Sequence, residues 1–339
     1  MMAGKRFLLA RLMMTAGVHR LVARNMPATL LVLNFHRIRD PGRGESRFDD
    51  GVFDTDLETF RRQMRWLKAA TRVLDEEDLL RFSSSPELPG STLCSAVTFD
   101  DGYIDCYTLA RPVLDELGIR GIFFIPVEIL ATRRLGWWDV AAYLLKRTTR
   151  SSVHLDGQSY LLAESMPLSL KRILRLFKQE KSDRTDGLLS KLSDACGVPL
   201  PNKDEQSAEL MDWTHVCELR ESGHAIGSHA WSHRVLATLS PAEQSREILN
   251  SRRELRAIVG AEIASFAYPV GGPRHFDEQS VALVQHAGYG QAFTFNTGVS
   301  TGHVADRFRI PRESATSFAA LKAKALLPGV MGLRSKHVL

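Results

Sequence analysis

Residues 94–103 read CSAVTFDDGY. Cys94–Phe99 is an uninterrupted apolar and β-branched run that reads as a strand. The chain then turns on Asp100-Asp101-Gly102. Two adjacent carboxylates repel each other unless a cation or proton is shared. A solvated turn carries the same three letters, but here they follow a strand with no polar face. Such a strand belongs in a sheet covered on both sides.

The same pattern recurs on either side. Thr29–Phe35 (TLLVLNF), Gly121–Pro126 (GIFFIP), His224–Ser228 (HAIGS) and Ala264–Tyr268 (ASFAY) read as strands, as do Gln291–Phe295 (QAFTF) and Arg307–Pro311 (RFRIP). Helical patterns alternate with them: Leu57, Phe60, Met64 and Leu67 keep a helical period, and Ser240-Pro241-Ala242-Glu243 is a capping box that opens a long helix. About seven strands alternating with helices imply an α/β fold with a parallel sheet. An incomplete β/α barrel and an open doubly wound sheet both satisfy the pattern. Residues 137–210 break it, and we expect a helical insertion there.

The chain has 339 residues, 44% hydrophobic and 24% charged, with 44 Lys and Arg against 39 Asp and Glu. That composition excludes a disordered tail, a collagen-like fibre and a disulfide-dense miniprotein. The four cysteines form no CxxC pair, so a zinc ribbon is not expected. The net charge of +5 gathers at the ends. Lys5, Arg6, Arg11, Arg20, Arg24, Arg37 and Arg39 precede the first acid, Asp40. Lys322, Lys324, Arg334 and Lys336 follow the last, Glu313. Two basic ends without interleaved aromatics argue against nucleic acid and suit an anionic membrane surface or partner. Leu8, Leu12 and the nearby methionines, with Arg20 and Arg24 opposite, read as a short amphipathic helix. Arg11 interrupts the apolar stretch, which speaks against a signal peptide. We expect a cytoplasmic protein that rests peripherally on the inner face of the membrane.

In β/α proteins the chemistry sits where strands end. The strands here end in Asn34-Phe35-His36-Arg37, Asp100-Asp101-Gly102-Tyr103, Ser228-His229-Ala230-Trp231-Ser232-His233, Tyr268-Pro269-Val270-Gly271 and Arg309-Ile310-Pro311-Arg312. His229 and His233 are spaced as a two-histidine metal site requires, and Ala230 in place of Glu disfavours a zincin protease. With one Asp they make three ligands and leave a fourth position for water.

TFDDGY, SHAWSH and FAYPVGG, in this order at these strand ends, resemble the polysaccharide deacetylases, the NodB-homology group or carbohydrate esterase family four. FHRI, WWD and FRIPR resemble the same group. The resemblance implies a distorted, incomplete (β/α) barrel. It implies a divalent metal, most often Zn2+, held by Asp101, His229 and His233, with Asp100 as general base. It implies that the backbone N–H of Tyr103 helps bind the oxyanion, and that Tyr268, Pro269 and Val270 line the groove. Trp137, Trp138 and Trp231 flank the rim, where aromatic faces suit sugar rings or simply fill the core.

Three departures stand out. The arginine usual in the third motif is Ala267, and Arg312 or Arg309 is the candidate to hold Asp100 ionised. The histidine usual in a late leucine-rich segment is missing from Leu321–Leu327, which makes His36 the candidate acid; a histidine that merely caps a buried strand reads the same way. Ala230 stands where Ser or Thr is usual, which removes a supporting hydrogen bond. The reading is a metal-dependent hydrolase that removes N-acetyl groups from an amino-sugar polysaccharide or its lipid-linked precursor. A deformylase, a glycan O-acetyl esterase and an inactive carbohydrate-binding relative are the alternatives. Residues 1–26 would be the basic helix, 27–315 the deacetylase-like domain, and 316–339 a C-terminal helix and basic tail.

Overall fold

The structure is a computed structural model that describes residues 8–10, 12–13, 28–42, 44–84, 93–163, 165–180, 184–301, 304–314 and 317–327. Six parallel strands form its centre: β1 (Thr29–Phe35), β2 (Leu93–Phe99), β3 (Ile122–Ile125), β4 (Ala225–Ser228), β5 (Ser265–Ala267) and β6 (Gln291–Phe293). Each lies beside its predecessor in sequence. A seventh strand, β7 (Glu313–Ser314), pairs in parallel with β1, while Ile310 bridges to Phe293 on β6. The segment 310–314 therefore touches both edges of the curled sheet. This is the distorted, incomplete barrel expected from the sequence. The last strand differs from its expected place: Arg307–Pro311 contributes only the bridge at Ile310, and the pairing with β1 comes two residues later.

Strand alternation sorts the core into two layers. Leu31, Leu33, Phe35, Val97, Phe99, Phe123 and Phe266 join the large cluster that also holds Phe60, Met64, Leu114 and Ile248 of the outer helices. The intervening residues Leu30, Val32, Cys94, Ala96, Ile122, Phe124, Ala267 and Phe293 form a second cluster on the inner face. Continued at period two, the inner rows run Leu30–Val32–Asn34 and Cys94–Ala96–Thr98–Asp100. The inside of the barrel is thus apolar low down and polar at its carboxyl rim. Gly227 holds an inner position on β4 where a Cβ would fall 2.4 Å from the Phe124 ring, and its i+2 neighbour is His229.

The stretch expected as purely helical contains the helices Trp137–Arg147, Met166–Gln179, Thr185–Cys196 and Lys203–Ser207. It also contains a hairpin, Ser152–Leu155 with Gln158–Leu161, which corrects the all-helical reading. Asp156 and Gly157 turn it with φ of 48° and 76°, the geometry that favours Asp-Gly in two-residue hairpins. The capping box at Ser240 opens a helix Pro241–Val259, as read from the sequence. Of the N-terminal helix only Leu8–Ala10, Leu12 and Met13 are described, and they are helical; its other residues, and the basic tail beyond Leu327, lie outside the described residues.

Candidate active site

Asp100 ends β2 facing inward and is 3% exposed. Arg312 clamps it with two parallel bonds: Nη1 donates to Oδ1 at 2.8 Å and Nη2 to Oδ2 at 2.8 Å. Asn34 Nδ2 donates a third bond to Oδ2 at 3.1 Å. The guanidinium is fixed in turn by the Thr294 carbonyl at 3.0 Å and by Asn34 Oδ1 at 2.9 Å. Burial works against the carboxylate, but the Arg312 charge and its paired hydrogen bonds outweigh burial and hold Asp100 well below the usual carboxylate range. Arg309 points elsewhere, to Asp306 and Glu278. The arginine absent at Ala267 is therefore supplied by Arg312, from the segment that closes the sheet.

Asp101 follows with φ 73° and Gly102 with φ 72°. A Cβ on Gly102 would lie 2.6 Å from Leu130 Cδ1, so glycine is required there by backbone and by space. This turn aims Asp101 away from Arg312. Its Oδ1 lies 3.2 Å from His233 Nε2 and 3.5 Å from His229 Nε2. It is buried and accepts no hydrogen bond. One ligand atom from each of the three residues falls within 4.8 Å of the others. His229 Nδ1 pairs with the Ala267 carbonyl at 2.8 Å, which leaves Nε2 as the free lone pair. Burial pushes the His229 ring down to about 4, so it is neutral, as a metal ligand must be. An orphaned buried carboxylate oxygen facing two imidazole nitrogens fits a divalent cation.

The loop that carries both histidines is held under strain. Ala230 and His233 adopt φ of 63° and 57°, unusual for residues with a Cβ. Glu247, from the helix Pro241–Val259, accepts from the Trp231 and Ser232 amides at 3.0 and 2.8 Å and from the Ser232 hydroxyl at 2.5 Å. The Val127 and Glu128 amides hold the Ala230 and Trp231 carbonyls from the other side. Ala230 is fully buried, and Glu247 holds the loop through the two residues that follow it.

His36, at the end of β1, has both its backbone N–H and its Nδ1 on Asp54 Oδ2, at 2.7 and 3.2 Å. Its recess works against the charged ring, yet the Asp54 hydrogen bond and charge, with Asp101 and Asp100 beyond, raise it to about 9. Tyr103 is buried, with its hydroxyl donating to Asp139 at 2.6 Å and accepting from Trp138 Nε1 at 2.7 Å. Its bridge to Leu210 uses the Ile104 and Met211 amides and leaves the Tyr103 N–H out of the pairing. The Trp138 ring lies 4.5 Å from that of His233, whereas Trp137 stacks on Phe177 of the insertion.

The groove residues need correction. Tyr268 is wholly buried, stacked on Phe276 at 4.1 Å with its hydroxyl on the Phe308 carbonyl. Its parity places it with Phe266 in the outer layer, facing the helices rather than the rim. Pro269 is buried too, while Val270, at φ 60°, and Trp231 keep part of their surface open. Sequence reading missed Asn34, Asp54, Asp139 and Glu247. The period-two row Leu30–Val32–Asn34 would have revealed the first; Glu247 lies on a remote helix with no local signal.

A family model described as polysaccharide deacetylase matches residues 89–292. The chain belongs to the polysaccharide deacetylase family. It is therefore a hydrolase of that family, and the solved structures agree in fold. A Streptococcus pyogenes deacetylase, PplD, in complex with acetate superposes with TM-score 0.55 at 16% identity, covering 88% of this chain and 99% of that one. IcaB from Ammonifex degensii gives TM-score 0.54 at 17% identity, covering 88% and 95%. A de-N-acetylase from Aggregatibacter actinomycetemcomitans gives 0.52 at 14%, covering 87% and 98%. No curated protein sequence matches the chain. Asn34, His36 and Arg312 all lie outside the span of the family match.

Proposed function

We propose that this deacetylase removes N-acetyl groups from an amino-sugar polysaccharide or its lipid-linked precursor, with zinc held by Asp101, His229 and His233. The observation that carries the reading is the buried, bond-free Oδ1 of Asp101 facing two imidazole nitrogens, beside a carboxylate kept ionised by Arg312. A divalent ion there would polarise the acyl carbonyl and acidify water towards a pKa of about 7.

The chain's own residues do the rest. An ionised carboxylate has roughly four acceptor sites. Arg312 and Asn34 take three of those on Asp100, leaving one for the proton of an attacking water. Asp100 is thus suited to be the base. The Tyr103 N–H, left out of the bridge to Leu210, is the donor we assign to the oxyanion. An amine leaves poorly without a proton, and His36, charged at neutral pH, is the group to deliver it. Two proteins of similar fold, a deacetylase in complex with acetate and a de-N-acetylase, support acetyl as the acyl group.

The test is metal analysis of the purified full chain together with acetate release from a panel of N-acetylated glycans, free and lipid-linked. Acetate release that stops on chelation, returns with zinc and is absent in Asp101→Ala is the expected result. Full activity in the metal-free chain, or no acetate from any glycan, would overturn the reading.

A further inference from the structure

The WWD stretch takes no part in the chemistry described so far, yet it is bonded to the turn that carries the catalytic carboxylates. Asp139, in the first turn of the helix Trp137–Arg147, is fully buried. Its Oδ2 accepts from the Tyr103 hydroxyl at 2.6 Å and its Oδ1 from the Asp49 amide at 2.9 Å. The Tyr103 oxygen accepts in turn from Trp138 Nε1 at 2.7 Å. That indole lies so close over the start of its own helix that a Cβ on Gly136 would fall 2.2 Å from it. The Arg37 guanidinium, paired with Asp105 and Glu209, covers the Tyr103 ring at 4.6 Å.

The two ends of the insertion therefore meet at one turn. Trp138 and Asp139, from its beginning, hold the Tyr103 side chain. From its far end, the Glu209 carbonyl accepts from the Ile104 amide and the Met211 amide donates to the Gly102 carbonyl, both at 2.9 Å. The Tyr103 N–H between them stays out of the pairing. Only an ionised carboxylate of this length accepts at both of its ends. An asparagine of the same shape accepts at one end, and must turn its donor towards either Tyr103 or Asp49.

We propose that Asp139 is a positioning residue for acyl hydrolysis: by holding the Tyr103 hydroxyl it fixes the Tyr103 N–H where the oxyanion forms. The inference rests on the deacetylase reading above and on Tyr103 as its oxyanion donor. A donor stabilises a transition state in full only when it is already in place, so slack in its anchor is felt in the rate and not in substrate binding.

The test uses the full chain and an activated aryl acetate. That ester passes through the same oxyanion but needs no proton on its leaving group, which separates Tyr103 from His36. The expected result is that Asp139→Asn lowers kcat, counted per zinc-loaded molecule, about ten-fold or more, part of the roughly 10²–10³-fold that a lost oxyanion donor costs. KM and zinc affinity should stay at the wild-type values. Tyr103→Phe deletes the same bond from the other side and should lose as much, so it carries the test even where Asp139→Asn does not fold. The double variant should be no slower than the slower single one, because both remove one interaction. An unchanged kcat, a loss carried by KM, or losses that multiply in the double variant would overturn the proposal. So would weakened zinc binding that accounts for the loss, since the Trp138 ring also packs on His233. A wild type that hydrolyses neither the ester nor any N-acetylated glycan would overturn the deacetylase reading and this inference with it, whereas an active wild type with an equally active Asp139→Asn overturns this inference alone.

Discussion

Arg312 and Asp100 are 212 residues apart in sequence and share two parallel hydrogen bonds inside the barrel. The pair is almost fully buried, at 1% and 3% side-chain exposure. Removing one partner of such a pair costs about 3–5 kcal/mol. Arg312→Lys keeps the charge but loses the planar fork. It should lower kcat/KM and move the acid limb of the pH profile upward, since Asp100 would be held less firmly below its ordinary range. The shift also sets a sign for stability: a depressed carboxylate stabilises the fold above its ordinary pKa, and that contribution is lost as pH falls. Thermal melts of wild type and variant from neutral to acid pH should therefore converge at the acid end.

Asp100→Asn should keep its metal and lose turnover. The substitution preserves shape and removes the proton acceptor, and general-base loss is worth about 10²–10⁴-fold. It also leaves the Arg312 charge unopposed, so the melting temperature should drop as well. Metal content and acetate release on one preparation check both; activity within a few-fold of wild type would reject Asp100 as the base.

His36→Ala should damage amide hydrolysis far more than hydrolysis of an activated aryl acetate, whose phenol leaves without help. Asp54→Asn removes the partner that raises the His36 ring, so the alkaline limb should fall from about 9 towards the ordinary value of 6.5. The same raised pKa stabilises the folded chain in full below about 6.5, and that stabilisation fades as pH climbs through about 9. Equal losses on amide and ester would assign His36 to support of the fold instead.

Glu247→Ala should weaken metal binding about 10–100-fold, the usual cost of losing a residue that orients a ligand. The strained backbone at Ala230 and His233 has few other restraints once the three Glu247 bonds go. Isothermal titration with zinc reads the effect; unchanged affinity would show that the Val127 and Glu128 amides hold the loop unaided.

What could be read from the sequence follows from where the signal lies. β1 and β2 are continuous apolar runs, so they stand out, and Asp100, Asp101, His229 and His233 sit at strand ends in local motifs. The hairpin at residues 152–161 was hidden because its outward residues are exposed and its strands are four residues long, too short for a period to register. Arg312 and Arg309 look alike in sequence. Only the closure through Ile310 and β7 turns the first inward and leaves the second on the surface with Asp306. Tyr268 illustrates parity: Ala267 is the inner residue of its strand, so the tyrosine beside it faces the helices.

The closure through residues 310–314 also bears on the order in which the molecule is made. Arg312 reaches Asn34 across 278 residues, and its two bonds to Asp100 span 212. Pairings so distant in sequence form late, after the loop entropy between them has been met. A chain still emerging from the ribosome can assemble β1 to β6 while Asp100 waits without its cation. Activity should therefore appear only once the segment 310–314 has closed on β1, as a discrete late phase in refolding that follows recovery of secondary structure.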